Sequence, residues 1–226
     1  MTTISVIIPL YNAEAYILKA IKSVLRQTHP CHEIIVVDDG STDKSVHVLR
    51  SLQDARLRLL QQENKGAAAA RNFGVSQASG AFISFLDADD IWMPNKLDLQ
   101  MERFASGGKD LIFGMIVEFL SPDCAKKLEG RVVVSETPRV GISPCTLFMR
   151  RDDYARVGAL DETLRVGEFI DWYARAQDEG LETDVVPKIV ARRRIHLENF
   201  HRQNATRHLE YARVMRTILY RRRGLS

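Results

Sequence analysis

Three carboxylates fall within four positions at Asp87-Ala88-Asp89-Asp90, directly after the mostly apolar run Phe82-Ile83-Ser84-Phe85-Leu86. An ionised carboxylate loses many kcal/mol of hydration in a low-dielectric interior, so a strand carrying this run has to end at Asp87. Its acids then have to meet water, a cation or a partner. The carboxyl end of a central strand is where open α/β sheets place their ligands. Asp87 and Asp89, with one residue between them, offer the oxygen ligands that suit Mg²⁺ or Mn²⁺ beside phosphates. Taken alone, such a D-x-D is more often an acidic turn with a helix cap. What surrounds it decides.

A second acidic pair, Asp38-Asp39, ends the run Glu33-Ile34-Ile35-Val36-Val37. As the ends of neighbouring strands, the two clusters would share one edge of a sheet. A carboxylate there can accept hydrogen bonds from the N–H of a uracil-type base or from ribose hydroxyls; Asp-Asp-Gly-Ser is also good turn chemistry. A phosphatase strand with an aspartate nucleophile needs two acids separated by one residue before the Gly. The first of those positions is Val37, so that reading fails. No G-x-G-x-x-G follows the first strand and no G-x-x-x-x-G-K-[ST] occurs, which removes the dinucleotide fingerprint and the P-loop.

Three further stretches carry residues that could meet a nucleotide. In Pro9-Leu10-Tyr11-Asn12, Tyr11 can stack on a base or sit half-buried in a loop. Lys65-Gly66 opens an alanine-rich helix whose backbone N–H groups can approach an anion; the alanines also suit tight helix–sheet packing. Arg71, one turn on, is a phosphate contact or an ion-pair partner for the acids.

The elements that must position these residues alternate. Ile4 to Ile8 is a β-branched run fit for a strand buried on both faces, stopped by Pro9. Asn12 can cap a helix with Ile17, Ile21, Val24 and Leu25 at helical spacing, which ends at Thr28-His29-Pro30. A strand to Val37, a helix capped by Ser41 or Thr42, a strand Leu57 to Leu60, a helix Ala67 to Ala78 and the Phe82 strand follow. Strand–helix alternation predicts βαβ units, a mostly parallel sheet and right-handed crossovers. Pro94 fits the first turn of the next helix, which carries Leu97, Met101 and Phe104. Beyond it, Asp110 to Leu120 and Ile142 to Met149 read as strands, Arg151 to Val157 and Glu168 to Glu179 as helices, and Arg192-Arg193-Arg194-Ile195-His196 as a basic loop. Leu209 to Arg223 is an amphipathic helix.

With 226 residues the chain can bury one core, and we expect one domain: a nucleotide-binding half over 1–110, a smaller mixed half over 111–200, and a C-terminal helix over 201–226. The net charge of +3 is too small for a nucleic-acid binder, and basic residues are not interleaved with aromatics across a groove. Cys31, Cys124 and Cys145 are scattered, which excludes a zinc ribbon and fits a cytoplasmic setting. No apolar run approaches the ~20 residues of a membrane span.

The motifs Ser5-Val6-Ile7-Ile8-Pro9-Leu10-Tyr11-Asn12, Val36-Val37-Asp38-Asp39-Gly40-Ser41-Thr42-Asp43, Asn64 to Asn72 and Phe85-Leu86-Asp87-Ala88-Asp89-Asp90-Ile91-Trp92 resemble, in order and spacing, the family 2 glycosyltransferases of the GT-A fold. Leu147 to Arg151, Val157 to Glu162, Gly167-Glu168 and Arg193 to His196 with Asn199 extend the likeness. The resemblance implies transfer of a sugar from a nucleoside diphosphate sugar, with UDP the default, inversion at the anomeric carbon, and Mn²⁺ or Mg²⁺ on the D-x-D. It implies Asp38 at the base, Asp87 with Ala88 at the ribose and Asp89 on the metal. Arg194 and His196 would then close over the diphosphate as a lid. The acceptor stays open among glycan, lipid-linked, peptide and small-molecule hydroxyls.

Inversion takes one displacement and one general base. The family pattern places an acid pair after Gly167; here the second position is Phe169, which cannot accept a proton. Glu168 starts the helix and aims at the cleft. Asp171 is the other candidate, with an i,i+4 partner in Arg175. Glu168 is the choice from reach. If neither acid acts, the protein is a nucleotide-sugar binder or scaffold without transfer activity. The last helix places Tyr211, Val214, Met215, Ile218 and Leu219 on one face and Arg213, Arg216 and Arg223 on or near the opposite one. It can pack on the domain, pair with a second copy, or lie on the inner face of an anionic membrane.

Overall fold

The computed structural model describes residues 2–122, 134–197 and 207–223; Cys124 and Asn199 lie outside them. The first half builds as its patterning requires. Strands β1 (Ile4–Leu10), β2 (Glu33–Asp38), β3 (Leu57–Gln61) and β4 (Phe82–Phe85) alternate with helices α1 (Ile17–Leu25), α2 (Ser45–Arg50) and α3 (Ala67–Ser76). These four strands are parallel and lie in the order β3-β2-β1-β4. All residues of β1, β2 and β4 are buried, as strands covered on both faces must be.

The β1 side chains divide between two cores. Ile4, Val6, Ile8 and Leu10 pack with Ile17, Ile21 and Val24 of α1, whereas Ile7 packs with Ala68 and Ala70 of α3. The α3 alanines and Gly74 let that helix settle onto the sheet: a Cβ on Gly74 would stand 2.4 Å from Ile7 Cγ2.

The second half extends the same sheet with mixed polarity. Beyond α4 (Lys96–Ala105) come β6 (Leu111–Leu120), β7 (Arg139–Gly141), β8 (Phe148–Arg150), α5 (Arg151–Val157), α6 (Glu168–Asp178), β9 (Thr183–Ile195) and α7 (Arg207–Arg222). A two-residue strand, β5 (Ile91–Trp92), follows the acidic cluster and pairs with β9. The order continues β4-β8-β6-β9-β5, with β7 on β6.

Several local expectations are corrected. Pro9 does not stop β1, which runs through it to Leu10. The Ile7 carbonyl bonds toward β4 and that of Leu10 toward β2, so odd-numbered β1 residues turn their backbone to β4. The β1–β2 ladder is carried by the even-numbered residues and runs on to Leu10 without a donor from position 9, whereas the β1–β4 pairing ends at Ile7, before Pro9. Asn12 does not cap α1. Its Oδ1 accepts the N–H groups of Thr42 and Asp43 before α2, with its backbone left-handed at φ 47°. Asp43, not Ser41 or Thr42, accepts the Ser45 N–H at the start of α2. Pro94 precedes the first turn of α4, which begins at Lys96. Ile142 to Met149 is not one strand: a 3₁₀ turn at Pro144–Thr146 breaks it and only Phe148–Arg150 is extended. Arg192 to Arg194 is not a loop but the end of β9, paired with β6, and Arg192 also pairs with Ile91 of β5.

Candidate active site

The parallel strands place their carboxyl ends on one edge. Asp38 closes β2, Leu10 and Tyr11 lie at the end of β1, and Asp87 to Asp90 follow β4. β1 separates β2 from β4, so the two acidic clusters share an edge but flank the Pro9–Tyr11 segment and are not adjacent. Pro9 is buried, and Tyr11 is an exposed aromatic on that rim.

Asp38 and Asp39 are both buried and both accept hydrogen bonds on each carboxylate oxygen. Asp38 accepts the Ser41 N–H at 3.0 Å and Gln61 Nε2 at 3.1 Å. Asp39 accepts Gln62 Nε2 and the backbone N–H groups of Lys65 and Gly66, each at 2.8 Å. The second acid therefore folds the Lys65-Gly66 turn that opens α3, with Gly66 at φ 95°. The Lys65 side chain projects into solvent at that corner.

Asp87 and Glu168 meet at one arginine. Arg71, buried on α3, donates through Nη2 to Asp87 at 2.6 Å and through Nη1 to Glu168 at 3.1 Å. Burial pulls the Arg71 pKa down, but Asp87 and Glu168 more than offset it and the net shift is upward. Glu168 starts α6 after Gly167, which sits left-handed at φ 82°. Phe169, in the position where an acid is expected, is a core residue: it stacks on Trp172 at 6.0 Å and lies edge-on to Phe113 at 6.3 Å. Asp171 points into ion pairs, with Arg175 Nε at 2.9 Å and Arg221 Nη1 of α7 at 2.9 Å. The geometry brings Glu168, and not Asp171, to the D-x-D.

The far side of the D-x-D is held by the end of β9. His196 Nε2 lies 3.0 Å from Asp89 Oδ2. The Arg194 backbone N–H donates to Asp90 Oδ1 at 2.8 Å and its Nε to the Asp89 carbonyl at 2.8 Å. Its guanidinium, almost wholly buried, lies over the rings of Tyr16 and Phe119. Arg194 thus fastens the Asp87–Asp90 turn from below. Ala88 is buried between the two acids. Burial, reinforced by Asp89 and Asp87, pushes the Asp90 carboxyl well above the usual carboxylate range.

Three contributors escape a reading of the sequence. Tyr16, just before α1, packs its ring 4.8 Å from that of His196. Asn72, beside Arg71, donates to the Leu160 carbonyl and accepts the Leu160 N–H, both at 2.9 Å, which ties α3 to the segment before α6. Asp90 is the buried anchor of the turn. Its place in the acidic cluster could have pointed to Asp90, and the end of the Asn64–Asn72 motif to Asn72; Tyr16 carries no local signal.

Asp89 offers the hard oxygen that a Mg²⁺ or Mn²⁺ ion takes, and His196 stands beside it. Among the described residues no group of three or more His, Cys, Asp or Glu is gathered for a metal. Such a cation would need oxygens from a ligand as well, which is how Mg²⁺-type sites beside phosphates are built.

Comparisons with known proteins give the chain a family and a fold. The family described as Glycosyl transferase family 2 matches residues 5–154. The Escherichia coli UDP-Glc:alpha-D-GlcNAc-diphosphoundecaprenol beta-1,3-glucosyltransferase WfgD is 44% identical over 112 residues, 49% of this chain and 44% of that protein. The putative teichuronic acid biosynthesis glycosyltransferase TuaG of Bacillus subtilis is 45% identical over 102 residues, 44% of this chain and 40% of that one. The chain spans less than half the length of these curated relatives. Among solved structures, S. aureus TarS 1-349 in complex with UDP superposes with a TM-score of 0.73 at 23% identity, over 96% of this chain and 64% of TarS 1-349. The same TarS segment with UDP-GlcNAc gives 0.70 at 24%, over 87% and 59%. The GT-A fold is therefore the fold observed. With both strand-end acid clusters inside the matched stretch, the chain belongs to glycosyl transferase family 2.

Proposed function

We propose that this chain transfers a sugar from a UDP-sugar to an acceptor hydroxyl with inversion, Glu168 taking the acceptor proton and a divalent cation assisting departure of the diphosphate. The observation that carries it is the gathering of Asp87, Asp89, Arg71, Glu168 and His196 at the carboxyl edge of the parallel strands. TarS, of the same fold, is known with UDP and UDP-GlcNAc; UDP is carried to this chain on that likeness and on the family.

The donor would lie along the edge. Its base and ribose take the side of Tyr11, Asp38 and Lys65, and its diphosphate the side of Asp89 and His196. Asp39 shapes the corner at Lys65-Gly66 and does not itself need to touch the donor. Asp89, with His196 beside it, would hold a Mn²⁺ or Mg²⁺ ion, which when bound would supply Lewis-acid stabilisation of the leaving diphosphate. The residues of the chain do the rest. Arg71 fixes Glu168 beside Asp87. The carboxylate accepts the hydroxyl proton as the acceptor oxygen attacks from the face opposite the diphosphate. The buried Arg194 holds the Asp89–Asp90 backbone so that the acids do not relax toward solvent; it positions the turn and is not a mobile lid.

A second reading keeps the fold and the donor but not the transfer. Phe169 in the core favours it, because it removes the acid that the family pattern places there. One experiment tests the donor site common to both: a thermal-shift series with nucleoside diphosphate sugars, with and without Mn²⁺. A ligand at about 100 times its Kd stabilises by about 2.7 kcal/mol. We expect a UDP-sugar with Mn²⁺ to raise Tm by several degrees. An unmoved Tm across the whole series would contradict both readings.

A further inference from the structure

The arginines from 213 to 223 fall into two sets. Arg221 and Arg222, though exposed, reach back to α6: Arg221 pairs with Asp171 and Asp178, and Arg222 with Asp178 at 2.7 Å. Together with buried Val214 and Ile218, packed against Ala174 and Leu164, they fix one side of the helix to α6. Arg213, Arg216 and Arg223 turn outward and have no carboxylate partner among the described residues. Between them stand Met215, Leu219 and Tyr220, 48%, 47% and 45% exposed. Those fractions are high for apolar side chains on a helix already packed along its other side. Glu210 is the one acid from 207 to 223.

This face therefore combines exposed apolar bulk with an uncompensated charge of about +3 by side-chain type. Two occupants could cover the apolar part. An isologous pairing with a second copy would set the outward arginines of one helix against those of the other, and like charges at contact distance repel. An anionic bilayer reverses that sign. Its headgroups attract each arginine, whose long stem lets the guanidinium reach the phosphates while Met215 and Leu219 enter the acyl boundary. Tyr220, under the Arg216 guanidinium at 6.0 Å, is a residue type favoured at the headgroup level.

We propose that the outer face of α7 docks on an anionic lipid bilayer. The docked helix lies beside the catalytic edge: a Cβ on Gly167, the residue before Glu168, would stand 3.2 Å from Val214. A bound membrane would thus lie near the start of α6. The inference is independent of the transfer chemistry, because it rests on α7 alone.

Co-sedimentation of the full chain with vesicles tests it. We expect binding to phosphatidylglycerol/phosphatidylcholine vesicles at low salt, loss of most of it in 0.5 M NaCl, and none to phosphatidylcholine alone. Arg216→Glu with Arg223→Glu, and separately Met215→Ser with Leu219→Ser, should each weaken partitioning by about tenfold or more. All four side chains are exposed, so Tm should stay near the parent value. No binding by the parent chain, equal binding to neutral vesicles, or unchanged binding by both variants would overturn the proposal. So would a concentration-dependent dimer in light scattering that disappears in the Met215→Ser, Leu219→Ser variant.

Discussion

Arg71 and Glu168 are joined across 97 residues of sequence, with Nη1 at 3.1 Å from Oε1. The other arm of the same guanidinium holds Asp87. The first acid of the D-x-D and the candidate base are therefore fixed to one rigid group rather than to each other, and two like charges are kept apart by a cation. Arg71→Met should leave both carboxylates without their buried partner and cost about 3 kcal/mol of stability, read from the denaturant midpoint. Arg71→Lys, a point charge without the fork, can serve one acid and should recover only part of the loss.

Asp39 illustrates how a residue can matter to a site without touching its ligand. Its two oxygens accept three hydrogen bonds, two of them from the Lys65 and Gly66 backbone. Asp39→Ala should cost about 2–3 kcal/mol, as expected when buried donors lose a charged acceptor. Asp39→Asn, which keeps one acceptor oxygen, should cost less. Equal midpoints for Asp39→Ala and the parent would show that the turn does not depend on this carboxylate.

Lys96 gives the fold a pH dependence of its own. It is wholly buried behind β4, donating to Ser84 Oγ at 2.8 Å and Gln100 Oε1 at 2.6 Å. Burial pulls its pKa down to about 7 from the ordinary 10.5. The unfolded chain therefore binds the proton more readily than the folded one between those values, and stability rises with pH across that window. Below about pH 7 both states are protonated and the slope from this group vanishes. Lys96→Met should remove the rise between pH 7 and pH 9, seen by urea unfolding at the two pH values. A rise that persists in the variant would assign it to another group.

Gly167 combines a left-handed backbone with a close neighbour, since an added Cβ would stand 3.2 Å from Val214 Cγ2. Gly167→Ala should cost about 1–2 kcal/mol from the backbone alone, and should loosen α7 enough to raise proteolysis at the C-terminal segment. Unchanged proteolysis would mean that α7 is held by its ion pairs with Asp171 and Asp178 and not by this contact.

The first half was legible in the sequence because its information is local. Period, β-branching and helix spacing placed β1 to β4 and α1 to α3, and a buried strand cannot continue through Asp87. The second half was less so. Nothing local distinguishes the end of β9 from a basic loop: Arg192 to Arg194 become strand only through pairing with β6, and Arg194 is tolerated inside through Asp89, Tyr16 and Phe119. Pro9 fails to stop β1 because the ladder to β2 uses the even-numbered residues and needs no donor at position 9, a fact of pairing that no local pattern carries. Reach and helix geometry favour Glu168 over Asp171 in the sequence, but the partners that separate them, Arg71 beside Glu168 and Arg221 beside Asp171, are distant in the chain and leave no local trace.

Glu168 is the residue on which the proposed transfer turns, as the acceptor's proton has to go to its carboxylate. Donor turnover by Glu168→Gln, measured with the UDP-sugar and Mn²⁺ that the thermal-shift series selects, tests it most directly. Gln keeps the size and the hydrogen-bond acceptor for Arg71 but not the basicity. We expect kcat to fall by about 10²–10⁴-fold with donor affinity within about twofold of the parent. Turnover at the parent rate, with the same donor affinity, would contradict it.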